Sequence, residues 1–134
     1  MPVKVFIDTN VVIYSLGPNS AKAALSAPLF ANYPVISTQV LSETANVTLK
    51  KLAFSLSETA KLLAMLEATC RVEIVAPATL QHALDIIRRY GFSWYDSLIV
   101  ATALEAGCDT LYTEDLQHGQ VIEGRLIVTN PFAV

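Results

Sequence analysis

Short apolar, β-branched runs alternate along this chain with longer stretches of helical period, and that alternation constrains the fold more than any other feature. Residues 3–7, 34–37, 71–75, 109–113 and 125–129 read as strands. Between them, helices are expected over 11–17 with Asn10 as cap, 20–30 with a break near Pro28, and 38–52. Three more are expected over 57–70 capped by Ser57, 77–90 opened by Pro77, and 94–107 capped by Ser93 and closed by Gly107. Strands that alternate with helices imply an α/β fold in three layers, a small, mostly parallel sheet flanked by helices. The 134 residues contain no repeat, linker or low-complexity tract, so residues 1–134 are expected to form a single domain.

In such sheets, sites form beyond the carboxyl ends of the strands. Asp8 directly follows the first strand, and Asp115 follows the strand ending at Thr113. Two further acids lie inside helices. Glu43 shares a face with Val40 and Val47, and Asp96 lines up with Val100 and Ala103 on a helix that is apolar nearly all round. A buried carboxylate is costly unless it is paired, protonated or bound to metal. Several acids converging without basic partners would repel one another, and a divalent cation removes that repulsion. Oxygen-only ligands select hard ions, so Asp8, Glu43, Asp96 and Asp115 point to Mg²⁺ or Mn²⁺.

Each acid also has a purely structural reading. Asp8 is placed to end a strand or cap a turn, and Asp115 to cap the turn through His118-Gly119. Ser93-Trp94-Tyr95-Asp96 has the spacing of a capping box. Glu43 faces solvent if the helix phase is off by one residue. Four such coincidences at strand ends and apolar helix faces are less economical than one shared site.

Composition neither supports nor forbids a nucleic-acid substrate. The chain carries 9 basic and 12 acidic residues, a net charge of -3. If four of the acids hold cations, 8 remain against 9 bases. Hydrophobic residues make up 53% and charged residues 16%, which suits a well-packed domain with apolar surface left for a partner. No apolar run reaches the roughly 18 residues of a membrane span. Asp8 interrupts the opening apolar run too early for a signal peptide. Cys70 and Cys108 lack metal-ligand spacing, and reduced thiols in a cytoplasmic setting are expected.

The acid-bearing segments resemble the PIN-domain family, and among its members the VapC-type toxins of toxin–antitoxin pairs. Val5-Phe6-Ile7-Asp8-Thr9-Asn10-Val11-Val12-Ile13-Tyr14 is similar to the family's opening motif, and Ser42-Glu43 to its second acid. Ser93-Trp94-Tyr95-Asp96-Ser97-Leu98-Ile99-Val100-Ala101-Thr102-Ala103 resembles the third motif, and Leu111-Tyr112-Thr113-Glu114-Asp115-Leu116 the fourth. The resemblance implies a Mg²⁺- or Mn²⁺-dependent endoribonuclease that hydrolyses RNA with metal-activated water, leaving a 5′-phosphate and a 3′-hydroxyl. It also implies a homodimer and a cognate antitoxin protein. Thr9, Asn10 and Thr113 would support the acids. The family's Thr-x-Asp pattern favours Asp115 over its neighbour Glu114, which stays open as an auxiliary ligand.

Other polar residues divide between bland and functional readings. His82 reads as a satisfied helix histidine, and His118 as a residue within reach of phosphate. The basic pairs Lys50-Lys51 and Arg88-Arg89 read as helix-end charge or as phosphate contacts. Trp94 and Tyr95 read as core packing. Two alternatives compete with the nuclease. One is a phosphatase or phosphotransferase using Asp8 as nucleophile, although position 10 is Asn rather than a second acid and no lysine is placed to stabilise a phosphoryl enzyme. The other is an inactive PIN-like binding module, against which all four acids are present.

Overall fold

The computed structural model describes residues 3–17 and 20–133. The chain begins with β1 (Val5–Ile7), α1 (Thr9–Ser15) and α2 (Ala21–Ser26), the last running into a 3-10 turn, Ala27–Phe30. Then come β2 (Val35–Ser37), α3 (Thr38–Lys50), α4 (Leu56–Thr69) and β3 (Arg71–Glu73). The remainder is α5 (Pro77–Tyr90), α6 (Trp94–Glu105), β4 (Thr110–Tyr112), β5 (Val121–Ile122) and β6 (Leu126–Thr129). The strands form one sheet in the order β3-β2-β1-β4-β6-β5. Every pairing is parallel except that of β5 with β6. The expected α/β class, a mostly parallel sheet flanked by helices, is the one observed.

Burial explains the layers. Phe6, Ile7, Val35, Ile36, Leu111 and Val128 of the parallel strands are all buried. Each such side chain contributes roughly 1.5–3 kcal/mol when withdrawn from water. Helix α6 is buried continuously from Ser97 to Leu104, which is why it lacks a polar face in the sequence.

Three local expectations need correction. The first helix starts at Thr9 with Asp8 as its cap, not at Val11 with Asn10. Asp8 is already extended (ψ 160°) as it leaves β1, and its carboxylate accepts from the Thr9 N–H. This leaves the Asn10 amide free for other partners. The expected helix end near Gly17-Pro18 falls partly outside the described residues; α1 itself stops at Ser15. Helix α4 is capped by Ser55, not Ser57. The Ser55 hydroxyl accepts from the Glu58 N–H at 3.0 Å and Glu58 Oε1 from the Ser55 N–H at 2.9 Å, a reciprocal capping box.

The third correction is β5, which the sequence reading lacked. Two residues are too few to show alternation. Glu123 (φ +52°) and Gly124 (φ +69°) join β5 to β6 in a tight hairpin, closed by Arg125 N–H donating to the Ile122 carbonyl at 3.1 Å. A glutamate in the left-handed region is unfavourable by itself. The Tyr90 hydroxyl compensates by accepting the Glu123 N–H at 2.9 Å and donating to Glu123 Oε2 at 3.0 Å.

Candidate metal centre

Sheet register positions the site. Ile7 pairs with Tyr112, and the Asp8 N–H extends the ladder by donating to the Tyr112 carbonyl at 3.0 Å. Asp8 and Thr113 therefore leave neighbouring strands side by side. This is also where chain order reverses: β1 leads to β2 and β3 on one side, while β4 lies on its other side. A switch of that kind opens a crevice at the carboxyl ends.

Asp8 is 5% exposed. Its carboxylate accepts from the Thr9 N–H (2.7 Å) and the Thr113 hydroxyl (2.8 Å). Burial pushes its pKa from 3.8 up to about 7, and the negative charges of Asp115 and Glu43 add to the rise, against the lowering effect of the Thr113 and Thr9 bonds. Asp96 arrives from the first turn of α6. Its N–H donates to Ser93 Oγ at 3.2 Å, so the expected Ser93 cap is present. Burial raises the pKa of Asp96 as well, with Asp115 adding repulsion and the Ser93 hydrogen bond opposing. Asp115 is exposed; its Oδ2 accepts from Asn10 Nδ2 at 2.9 Å and its N–H donates to Thr113 Oγ1 at 3.1 Å. One carboxylate oxygen each from Asp8, Asp96 and Asp115 lies within 4.8 Å of the others.

This donor set suits a hard divalent cation. It consists of carboxylate oxygens alone, without thiolate or imidazole. Among the described residues, the ion pairs formed by lysine, arginine and histidine involve none of the three. A cation among them would reverse the upward shift at Asp8 by replacing repulsion with attraction.

Glu43 stands beside this group rather than in it. It is half-buried on α3 and accepts from Thr9 Oγ1 at 2.8 Å and, at the long limit of 3.5 Å, from Gln39 Nε2. Thr9 thus links two of the acids, its N–H on Asp8 and its hydroxyl on Glu43. The residues expected to support the acids are placed to do so. Asn10 Nδ2 also lies 3.3 Å from Thr113 Oγ1, which itself donates to Asp8.

Glu114 is engaged elsewhere. Tyr14 Oη donates to its Oε1 at 2.6 Å, and Lys22 Nζ lies 2.9 Å from its Oε2. The Tyr14 hydrogen bond holds its pKa below the usual carboxylate value, with Lys22 adding to the effect against a smaller desolvation cost. Nothing in the sequence marks Lys22 as its partner, 92 residues away. His118 accepts the Asn130 N–H on Nδ1 at 2.9 Å, which places its neutral-state proton on Nε2. His82 Nδ1 lies 2.8 Å from Glu105 Oε2, the satisfied helix histidine that was expected. Arg88 pairs with Asp85 and Arg89 with Glu123, so that basic pair serves the helix end. Lys50 and Lys51 are exposed at the end of α3. Trp94 packs against the core, but Tyr95 is 62% exposed, because the second position of α6 faces outward.

The family model of the PIN domain matches residues 5–123, a span that includes all four acids. The chain belongs to the PIN-domain family. Solved structures share this PIN fold at low sequence identity. VapC20 of Mycobacterium tuberculosis, described as a sarcin–ricin loop cleaving toxin, is 20% identical with a TM-score of 0.69, over 84% of this chain and 90% of that one. A toxin–antitoxin complex from Klebsiella pneumoniae contains a chain 22% identical with a TM-score of 0.71, over 98% of this chain and 100% of that one. DNA-bound VapBC from Salmonella typhimurium gives 21% identity and a TM-score of 0.69, over 95% and 98% of the two chains. A search of curated protein sequences returned no match. Among the described residues of this PIN domain, no helix is long and apolar enough to cross a membrane.

Proposed function

We propose that this PIN domain is a Mg²⁺- or Mn²⁺-dependent endoribonuclease, the toxin of a type II toxin–antitoxin pair. The observation that carries the reading is the convergence of Asp8, Asp96 and Asp115 at the switch point of the sheet, unpaired by any cation among the described residues. Those three and Glu43, which Thr9 links to Asp8, would hold the ion as the four metal-binding and catalytic acids of the proposal. A bound divalent ion supplies positive charge against the phosphodiester and eases deprotonation of the attacking water. The chain's own part is positional. Thr9, Asn10 and Thr113 fix the carboxylates before substrate arrives, so little reorganisation remains for the reaction itself.

RNA as substrate and an antitoxin as partner rest on the PIN family and on neighbours described as a sarcin–ricin loop cleaving toxin and as toxin–antitoxin complexes. A homodimer and a cytoplasmic setting belong to the same proposal, and two buried, unbonded cysteines accord with reducing conditions. The test is RNA cleavage with Mg²⁺ or Mn²⁺, with chelator, and with Asp8→Asn and Asp96→Asn. Chelator and both substitutions should each abolish cleavage while the circular dichroism of the folded protein persists. Cleavage that survives both substitutions in chelator refutes the proposal. Inversion at a chiral phosphorothioate would separate this single in-line attack from the aspartyl-nucleophile alternative, whose two displacements give retention and require a trappable acyl-phosphate on Asp8.

A further inference from the structure

Glu114 and Asp115 are adjacent carboxylates at the end of β4, yet only Asp115 has an oxygen in the acid cluster. The contacts around Glu114 supply a physical reason. Its N–H donates to Asn10 Oδ1 at 3.3 Å, and its carboxylate accepts from Tyr14 Oη at 2.6 Å. Asn10 and Tyr14 are four residues apart on α1 and so share one helix face. That face grips residue 114 twice, once by backbone and once by side chain. The other end of the Asn10 amide donates to Asp115 at 2.9 Å. One short stretch of α1 thus holds both members of the acidic pair.

Lys22 completes the arrangement from α2. Its ammonium lies 2.9 Å from Glu114 Oε2 and 4.1 Å from the Tyr14 ring centroid. It lies 5.1 Å from the Phe132 centroid, and Phe132 meets Tyr14 edge-on at 5.1 Å. Tyr14 and Lys22 thus converge on a carboxylate beside the site about a hundred residues later in the chain, and Phe132 packs behind them. Left without these partners, Glu114 would add a negative charge next to a cluster that already repels itself, and would compete with Asp115 for the same ion.

We propose that Lys22, Tyr14 and Glu114 form a positioning clasp, which holds the Glu114 carboxylate outside the acid cluster and thereby fixes the 113–115 turn with Asp115 aimed at the bound cation. The clasp rests on the metal reading given above. Lys22 and Glu114 are positioning residues in this proposal, since they act through Asp115 and offer no oxygen to the acid cluster.

The experiment is calorimetric titration of the full-length protein with Mn²⁺, comparing wild type with Lys22→Met, Glu114→Ala and Lys22→Arg. Thermal melts of the metal-free proteins run alongside. Loss of the clasp should weaken Mn²⁺ binding roughly tenfold in Lys22→Met and Glu114→Ala, the scale expected when partners of metal ligands are removed. Lys22→Arg keeps the positive charge and a cation–aromatic contact and should retain most of the wild-type affinity. A merely structural ion pair would lower the melting temperature and leave the dissociation constant alone. Wild-type affinity in Lys22→Met and Glu114→Ala, or equal losses in Lys22→Arg and Lys22→Met, would overturn the clasp while the metal reading stands. Absence of Mn²⁺ binding by the wild type would overturn the metal reading and the clasp with it.

Discussion

Acids near the two ends of α6 define two flanks that are treated in opposite ways. Around its C-terminal end and the β5–β6 hairpin, Glu105 and Glu123 each meet donors that settle them. Glu105 takes the Thr79 hydroxyl at 2.7 Å and His82 Nδ1 at 2.8 Å, while Glu123 takes Arg89 and the Tyr90 hydroxyl. Beyond the ends of β1 and β4, Asp8, Asp96 and Asp115 face one another, and no cation among the described residues pairs with them. Glu114, at the boundary, belongs to the first kind although it touches the second in sequence. Folding alone favours pairing or neutralising a carboxylate. On the proposed reading, the uncompensated charge is kept for a cation from outside, and its cost is carried by the site rather than spread over the molecule.

The strongest way to break the comparison is to neutralise one acid on each flank. Asp96→Asn should cut metal-dependent RNA cleavage at least about a hundredfold, the scale lost when a preorganised electrostatic group is removed. Glu105→Gln should leave cleavage at the wild-type rate and change stability by about 1 kcal/mol or less, since its partner is a half-exposed histidine. Equal losses of activity on the two flanks would erase the distinction.

A weaker effect sharpens it through pH. Asp8 has its folded pKa raised above the unfolded value of 3.8 to about 7. Between those values the folded state binds more protons than the unfolded one, so this group makes metal-free stability fall as pH rises from about 3.8 through 7. Mn²⁺ must displace that proton, so its affinity should increase with pH through the same upper limit and level off above it. Urea melts in chelator and Mn²⁺ titrations from pH 5 to 8 would read both slopes. Affinity that is flat or falling over this range contradicts the shift assigned to Asp8.

The smallest effect lies in the hairpin. Tyr90→Phe removes the hydroxyl that satisfies Glu123 and should cost about 0.5–1.5 kcal/mol by chemical denaturation. Cleavage and Mn²⁺ affinity should be unchanged, because this network lies on the flank where acids serve stability.

Much of this was legible in the residues, for identifiable reasons. Asp8 and Asp115 could be placed because short apolar strands fix where a parallel sheet ends, and Asp96 because an acid on an otherwise apolar helix has few cheap explanations. Glu43 was legible only as a member of the helix face; the geometry puts Thr9 between it and the cluster. Helix starts were less secure. Ser55 precedes α4 and Ser57 lies in its first turn, and the glutamate that decides between them, Glu58, stands three residues after Ser55. That signal was present and outweighed by the later serine. The β5 strand and its left-handed Glu123 depend on a tyrosine more than thirty residues earlier, and the Lys22–Glu114 pair spans most of the chain. Contacts of that kind arise from topology, and local pattern carries no trace of them.

The central claim is that the site's carboxylates are mutually repelling and await a divalent ion. The most direct measurement is the melting temperature of wild type and Asp8→Asn at pH 8, each in chelator and in saturating Mn²⁺. In chelator, Asp8→Asn should melt above wild type, because a buried charge and its repulsion by Asp115 and Glu43 are gone. In Mn²⁺ the order should reverse, with wild type gaining stability in proportion to its binding and Asp8→Asn gaining little. A wild type that melts at the same temperature in chelator and in Mn²⁺, and above Asp8→Asn in both, would contradict the account.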